Sequence, residues 1–193
     1  MVEPVGDRWQ PLEVNTRNGT LLELVKPTER GTRDLVADVM DARQMQFMHV
    51  PAFTEASAAT AFLNGMLVEP GMSFNWLLHH EGATAGWACL FAFEHDMCEL
   101  GYFVRSHYAG RGFATAAAWR VTHFAHTVLD VRRLNASADP RNVASHRVLA
   151  SSGFTHEGTQ RANFRYGSAW QDTALFGRLR TDPLPDISLE QNT

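Results

Sequence analysis

Residues 102–115 read Tyr102-Phe103-Val104-Arg105-Ser106-His107-Tyr108-Ala109-Gly110-Arg111-Gly112-Phe113-Ala114-Thr115, a strand-like run that passes through two glycines into the start of a helix. Gly110 and Gly112 permit backbone conformations that other residues avoid, and they let a ligand approach the main chain closely. A helix that begins directly after such a turn directs its free N–H groups and the positive end of its dipole toward an anion. The pattern therefore indicates a phosphate-binding turn, with a purely structural turn as the alternative.

Two other glycine signatures do not fit this turn. A Walker motif needs Lys followed by Ser or Thr directly after its last glycine, and Phe113 and Ala114 stand there instead. A dinucleotide fingerprint needs a third glycine three residues after the second, and that position is Thr115. We therefore expect the bound phosphate to belong to a ligand other than ATP or NAD.

The residues after the turn predict a helix, a strand and a second helix. Residues 114–129 carry apolar side chains at helical spacing, which predicts one buried helix face. Residues 134–138 alternate as a short strand. The run Asp139-Pro140-Arg141-Asn142 contains the breaker and capping residues that open the second helix, which is expected to end at Gly153.

Four motifs stand in order along the second half of the chain. They are Glu99-Leu100-Gly101-Tyr102, Tyr108-Ala109-Gly110-Arg111-Gly112-Phe113-Ala114-Thr115, Asp139-Pro140-Arg141-Asn142-Val143-Ala144-Ser145-His146-Arg147-Val148-Leu149 and Gly153-Phe154. In order and spacing they resemble the GNAT superfamily of acetyl-CoA-dependent N-acetyltransferases, and most of all its RimJ/RimL branch, which acetylates protein N-termini. The resemblance covers roughly residues 20 to 180. It implies an α+β chain with the three-layer α/β/α GNAT fold, whose central mixed, mostly antiparallel sheet has about seven strands and a splayed central strand pair that holds the cofactor.

The resemblance also implies where acetyl-CoA binds. The backbone near Phe103 and Val104 should hold the pantetheine arm and supply an N–H group to the oxyanion, and the glycine turn should cradle the pyrophosphate. The cofactor-binding residues expected in this way are Phe103, Val104, Arg105, Gly110, Arg111, Gly112, Phe113, Ala114, Thr115 and Asn142. One position departs from the superfamily, because Ala109 stands where Gln or Arg usually opens the turn.

Acetyl transfer from a thioester to an amine needs a neutral amine, donors for the developing oxyanion and an acid for the departing thiolate, but no covalent enzyme intermediate. By the resemblance, Asn142 orients the cofactor and Ser145 faces its sulfur as the acid. The alternative is that Asn142 is only a helix cap and Ser145 an ordinary residue of the first turn. Glu99 shares a strand face with Gly101 and Phe103, so it is the candidate base for the amine proton, with a solvent-facing carboxylate as the alternative.

The acceptor is expected at a closing hairpin predicted for residues 154–165 and 170–179, with its turn at residues 166–169. Phe164, Tyr166 and Trp170 are the candidate substrate-binding residues, with plain sheet packing as the alternative for each. Arg161 and Arg165 offer donors to peptide carbonyls, whereas a polyamine pocket would gather carboxylates. We therefore expect a protein or peptide N-terminal amine as the acceptor.

Three other functions stay open. The enzyme could acetylate a small amine such as a polyamine or an aminoglycoside. The chain could also be a non-catalytic acyl-CoA-binding domain of the same fold, which Ala109 allows. The third is an unrelated nucleotide-binding α/β module, but the closing hairpin argues against it, since a doubly wound sheet would continue to alternate strand and helix.

The composition is that of one globular domain, with 193 residues, 45% hydrophobic and 20% charged. We predict an N-terminal arm at residues 1–20, the N-acetyltransferase domain at residues 21–180 and a C-terminal tail at residues 181–193. The net charge of −4 lacks the basic excess that drives non-specific nucleic-acid binding. We see no apolar run or leader pattern that indicates a membrane span or signal peptide, so we expect a cytoplasmic protein. We expect it to be a monomer or a homodimer.

The remaining patterns concern cysteines, histidines and the first half of the chain. Cys89 and Cys98 are predicted as buried strand residues rather than a disulfide or a nucleophile. His123 and His126 lie three apart on a helix without a third ligand nearby, so no metal is predicted. The first half is predicted to contain a strand near residues 22–25, helices at residues 32–47 and 54–67, the second capped by Thr54, and a meander of strands at residues 74–78, 83–93 and 98–105.

Overall fold

The computed structural model describes residues 8–68, 73–166, 169–183 and 185. Its elements are β1 (Leu12–Asn15), β2 (Leu21–Val25), α1 (Glu29–Arg33), α2 (Val36–Met40), α3 (Ala56–Leu67), β3 (Phe74–His80), β4 (Ala83–Glu94), β5 (Met97–Val104), α4 (Phe113–Thr127), β6 (Arg133–Ala138), α5 (Val143–Ser151), β7 (Thr155–Tyr166) and β8 (Ala169–Leu179). Three predicted features fall outside the described residues: the arm over residues 1–7, the centre of the hairpin turn at Gly167 and Ser168, and the tail at residues 184 and 186–193.

Eight strands form one sheet in the order β1-β2-β3-β4-β5-β6-β8-β7. Every neighbouring pair is antiparallel except β5 and β6, so the sheet is mixed and mostly antiparallel, as predicted. The count exceeds the expected seven because β1 pairs with β2 inside the stretch predicted as an arm. Leu12 and Val14 are buried while Glu13 is exposed. This alternation is that of a strand with one face in the core, so the arm prediction is wrong for residues 12–15.

Helices cover both faces of the sheet, which confirms the predicted three layers. On one face, α4 and α5 enclose a core that contains Trp76 and Phe124. On the other face, α2 and α3 pack over Leu77, Trp87 and Phe103. The rings of Trp87 and Phe103 stack with their centroids 4.2 Å apart. Residues 84–90 of β4 are therefore buried on both faces, and the residues of β5 are buried or half-buried.

The long helix predicted for residues 32–47 is wrong, since two short helices, α1 and α2, take its place. Two aspartates of this stretch are engaged by side chains from β4 and from the residue that follows β5. Asp34 Oδ2 accepts a hydrogen bond from Thr84 Oγ1 at 3.0 Å, and Asp38 Oδ2 accepts one from Arg105 Nε at 2.8 Å. These tertiary contacts outweigh a weak helical periodicity, because intrinsic propensity is only a modest preference.

The other predicted elements are confirmed with small differences in their ends. The helix predicted from Thr54 begins at Ala56, and its N-cap is Glu55, which makes no side-chain capping bond. The meander β3–β4–β5 and the hairpin β7–β8 are present. The helix predicted to open at Asn142 is α5, with Asn142 as its N-cap.

The sheet opens between β5 and β6. These strands pair only over residues 97–99 and 133–135, whereas β4 follows β5 as far as Val104 and β8 follows β6 as far as Ala138. Beyond Glu99 and Asn135 the two halves of the sheet therefore separate. This is the predicted splayed central pair, and we call the opening the β5–β6 cleft.

Candidate active site

The glycine turn, residues 109–112, lies between the end of β5 and the start of α4. Gly110 and Gly112 have φ angles of +77° and +82°, in the left-handed region that favours glycine. Gly112 is also the N-cap of α4, and no side chain caps that end of the helix. The first N–H groups of α4 are therefore left without a side-chain acceptor, an arrangement that suits an anion.

The residues that open α4 offer mainly their backbone to a ligand. The ring of Phe113 is 1% exposed and packs against the rings of His80 and Tyr108, with centroid separations of 5.0 and 5.7 Å. Ala114 and Thr115 are half-buried. All three lie in the first turn of α4, where backbone N–H groups have no intrahelical acceptor.

Two arginines near the turn have different surroundings. Arg111 is exposed, and its guanidinium lies 5.3 Å from the ring centroid of Tyr108. Arg105 donates to Asp38 and, from Nη1, to the carbonyl oxygen of Thr84 at 3.0 Å. The side chain of Arg105 thus joins the end of β5 to α2 and β4, and its cofactor contact stays a prediction.

The main chain of β5 lines one wall of the β5–β6 cleft. Just beyond β5, the N–H of Arg105 donates to the carbonyl of Ala85 on β4 at 3.0 Å. Because hydrogen-bonding directions alternate along a strand, Phe103 also points its backbone groups toward β4, and Tyr102 and Val104 point theirs toward the cleft. Val104 therefore fits the expected contact with an extended ligand. Phe103 does not, and Tyr102 is the residue whose backbone takes that direction.

The N-terminus of α5 lies across the cleft from β5. Asn142 Oδ1 accepts the backbone N–H of Ser145 at 3.1 Å, so the predicted cap is present. The hydroxyl oxygens of Ser145 and Tyr102 lie 2.8 Å apart. The structure therefore brings β5 and α5 into contact through these two hydroxyl groups.

Tyr102 is the functional candidate that sequence analysis missed. The alternation along β5 predicts only that Tyr102 lies on the same buried face as Cys98 and Leu100. Its partner, Ser145, is 43 residues away and is brought near by the fold. Burial raises the pKa of Tyr102 to about 12, although the hydrogen bond with Ser145 acts in the opposite direction. The phenol is therefore protonated at neutral pH and can serve as a donor.

Glu99 occupies the last paired position before the cleft opens, opposite Phe91 on β4 and Asn135 on β6. It is half-buried. Alternation places Glu99 on the sheet face of Phe103, which α2 and α3 cover, whereas Tyr102 lies on the face of α4. The Glu99 carboxylate and the Tyr102–Ser145 pair thus lie on opposite faces of β5.

The loop of residues 41–55 meets the hairpin and the start of α5. The rings of His49 and Phe164 are 4.7 Å apart. The Arg141 guanidinium lies 5.9 Å from the ring of Phe47 and donates to Gln171 Oε1 at 3.2 Å. Phe164 is therefore part of the surface where the 41–55 loop meets the hairpin. Tyr166 pairs with Ala169 at the hairpin end, and Trp170 is 62% exposed.

The two cysteines are free thiols in the buried layers. Burial raises the pKa of Cys89 and that of Cys98 to about 12. Both are protonated at neutral pH and are poor nucleophiles in that state. His123 stacks on Trp119, and His126 Nδ1 lies 2.8 Å from the carbonyl oxygen of Val131.

The described residues hold neither a metal-binding cluster nor a membrane-spanning helix. They contain no cluster of three or more His, Cys, Asp or Glu side chains placed to hold a metal ion. Among the same residues, no helix is long and apolar enough to cross a membrane.

Comparison with known proteins gives both a family and relatives. The family model described as acetyltransferase (GNAT) domain matches residues 22–155, more than half of the chain. The protein named "Probable N-acetyltransferase YjcK" from Bacillus subtilis (strain 168) is 35% identical over 83 residues, which are 43% of this chain and about half, 46%, of that relative. "Uncharacterized N-acetyltransferase YnaD" of the same strain is 25% identical over 144 residues, covering 74% of this chain and 84% of the relative.

Solved structures share the fold. RimL, described as a ribosomal L7/L12 alpha-N-protein acetyltransferase in complex with coenzyme A, matches with a TM-score of 0.72 and 23% identity over 86% of this chain and 98% of its own. Spermidine N-acetyltransferase from Vibrio cholerae, in complex with CoA and spermine, matches with a TM-score of 0.73 and 15% identity over 83% of this chain and 92% of its own. Because two enzymes with different acceptors match equally well, the fold does not select the acceptor.

Proposed function

Because the chain belongs to the GNAT family of acetyltransferases, we propose that it transfers an acetyl group from acetyl-CoA to a primary amine by direct attack, without a covalent enzyme intermediate. The observation that carries this proposal is the β5–β6 cleft. One wall carries the outward backbone groups of Tyr102 and Val104, and the glycine turn follows at its end. The Ser145 hydroxyl lies at the opposite wall.

The residues of the cleft have separate tasks in this proposal. Backbone groups of Tyr102 and Val104 bind the pantetheine arm, and the glycine turn with the first turn of α4 holds the pyrophosphate. The cofactor supplies the acetyl group as a thioester. Ser145 donates a proton to the departing sulfur, and Glu99 takes the proton of the amine from the other face of β5.

We further propose that the acceptor is the N-terminal amine of a protein or peptide. A polyamine would need free carboxylates, but three carboxylates of this region are engaged. Glu157 forms an ion pair with Arg133, and Asp172 Oδ1 accepts the N–H of Ala162 at 2.9 Å. The Arg141 guanidinium holds the pKa of the Asp139 carboxyl below its ordinary range. The aromatic rings of the 41–55 loop and the hairpin instead offer apolar contact to a peptide.

The test is a turnover screen that measures release of the CoA thiol. The acceptors are an N-terminal peptide, the same peptide already acetylated, spermidine and an aminoglycoside. We expect the free peptide to have the highest kcat/KM and the acetylated peptide to be inert. Faster turnover of spermidine or the aminoglycoside would overturn the acceptor class but not acetyl transfer. Acetyl-CoA binding without turnover of any amine would instead support a non-catalytic binding domain.

Trp170→Ala tests whether the hairpin contacts the acceptor. We expect a higher KM for the peptide with unchanged acetyl-CoA affinity, because an exposed aromatic side chain would be lost from the acceptor side only. The matched control is Val128→Ala, which removes another exposed apolar side chain at the far end of α4. Equal peptide KM values in the Trp170→Ala variant and the wild type would show that Trp170 does not contact the acceptor.

A further inference from the structure

The contact between Tyr102 and Ser145 has two possible arrangements of protons. Tyr102 Oη lies 2.8 Å from Ser145 Oγ and 3.3 Å from the carbonyl oxygen of Ser145. If the phenol donated to the carbonyl, the serine hydroxyl would donate to Tyr102 and its proton would be withdrawn from the cleft. If the phenol donates to Oγ, the serine proton remains available.

The helix favours the second arrangement. Ser145 lies inside α5, so its carbonyl oxygen already accepts the N–H of Leu149 in the regular helical pattern. The Oγ atom is also the nearer acceptor. Asn142 holds the backbone N–H of Ser145 and thereby fixes the position of Ser145 at the helix start. These contacts favour a Tyr102 phenol proton directed at Ser145 Oγ.

We propose that Tyr102 is a positioning residue that acts through Ser145, turning the serine hydroxyl proton toward the sulfur of the leaving thiol. This inference rests on the proposed function. The amine nitrogen forms a bond to the acetyl carbon and loses a proton to Glu99, the bond from that carbon to sulfur breaks, and the sulfur takes the Ser145 proton, which a solvent proton later replaces. The serine oxygen then carries the developing negative charge, which the hydrogen bond from Tyr102 stabilises.

The surroundings of Tyr102 agree with a permanent donor. Its side chain packs against the core under α4, and burial keeps its pKa well above neutral. A donor that does not ionise keeps one orientation over the working pH range.

The test is a double-mutant cycle with Tyr102→Phe and Ser145→Ala, measured as single-turnover rates at saturating acetyl-CoA. Tyr102→Phe should slow the wild type by about tenfold to a hundredfold, the range for losing a hydrogen bond to a developing charge. In the Ser145→Ala background the same change should alter the rate less than about twofold. Acetyl-CoA affinity should not change, because the ring and the backbone of residue 102 remain.

Three outcomes would overturn the inference while the wild type is active. They are an unchanged rate in Tyr102→Phe, an equal rate loss in both backgrounds, and a loss that appears only as a higher KM for acetyl-CoA. No turnover by the wild type with any amine would instead count against the proposed function itself.

An NMR measurement does not depend on turnover, so it tests the Tyr102–Ser145 contact even if the Tyr102→Phe variant folds poorly. The chain has three tyrosines, so ring-carbon NMR signals can be assigned with Tyr108→Phe and Tyr166→Phe. Ser145→Ala should shift the Tyr102 signal, because the hydroxyl group that the Tyr102 phenol contacts at 2.8 Å is lost. An unchanged Tyr102 signal would show that the contact does not form in solution and would overturn the inference.

Discussion

At the scale of single residues, the glycine turn depends on backbone conformation rather than on space. A Cβ atom at Gly110 would meet nothing within 4 Å, and one at Gly112 would lie 3.6 Å from Thr16 Cβ, which is an ordinary contact. Both residues nevertheless have left-handed φ angles that residues with side chains avoid. A larger residue at either position would therefore change the direction of the backbone N–H groups.

Gly112→Val is expected to weaken acetyl-CoA binding by about tenfold or more, since the left-handed conformation costs about 1–2 kcal/mol for a residue with a side chain. Calorimetric titration of acetyl-CoA measures the change. The matched control is Gly82→Val, because Gly82 has a φ of +77° and nothing within 4 Å of an added Cβ. The control should lose stability and keep its affinity. Equal acetyl-CoA affinity of the wild type and Gly112→Val would show that the pyrophosphate does not bind at this turn.

At the scale of elements, the site depends on how α5 and the 41–55 loop are attached to the sheet. The N-terminus of α5 is fixed by the Asn142 cap. The loop is fixed to the end of β5, where Gln44 Nε2 donates to the carbonyl of Val104 at 2.9 Å. These two attachments bring Ser145, the proposed acid, and the 41–55 loop, on the proposed acceptor side, to the same strand.

Asn142→Ala should destabilise the protein by about 1 kcal/mol, the usual cost of losing an N-cap. Asn142→Ser should retain most of that stability, because serine also accepts the N–H group at this position. Urea unfolding of the three proteins measures the difference. Were the Asn142 amide needed only for the cofactor, both variants would lose acetyl-CoA affinity and neither would lose stability.

Gln44→Ala should raise the KM for the acceptor, because the 41–55 loop would lose its attachment to β5. Acetyl-CoA affinity should hold or increase, since the carbonyl of Val104 becomes free to accept from the pantetheine arm. Gln46→Ala is the matched control on the same loop, where Gln46 is exposed. Steady-state kinetics with each substrate varied separates the two effects. A weaker acetyl-CoA affinity with unchanged acceptor KM would contradict this assignment.

Elements with strong local signals could be predicted from the sequence, and contacts between distant elements could not. The glycine turn, the α5 cap and the meander each follow from residues a few positions apart. The break between α1 and α2 is instead associated with contacts from Thr84 on β4 and from Arg105, the residue after β5. The hydroxyl pair of Tyr102 and Ser145 likewise arises only when β5 and α5 are packed together.

At the scale of the whole molecule, the two helical layers bury titratable groups on both faces of β4 and β5. Cys89 lies under α2 and α3, whereas Cys98 and Tyr102 lie under α4. Burial disfavours the charged form of a thiol or phenol, so each group binds its proton more tightly in the folded chain than in the unfolded chain. Proton binding by these groups therefore reports on the integrity of the two layers separately.

The free energy of unfolding should consequently fall as the pH rises from about 9 toward about 12, the ordinary and the folded pKa of Cys89 and Cys98. Below that window both states are protonated and the groups contribute nothing to the pH dependence. Within it the unfolded chain has lost protons that the folded chain keeps, so each thiol lowers stability by up to about 1.4 kcal/mol per pH unit. Urea unfolding at several pH values measures the slope, and Cys89→Ala and Cys98→Ala should each make it shallower. Stability that is flat across this window, or rapid labelling of both thiols in the native protein at neutral pH, would show that the layers do not exclude water from β4 and β5.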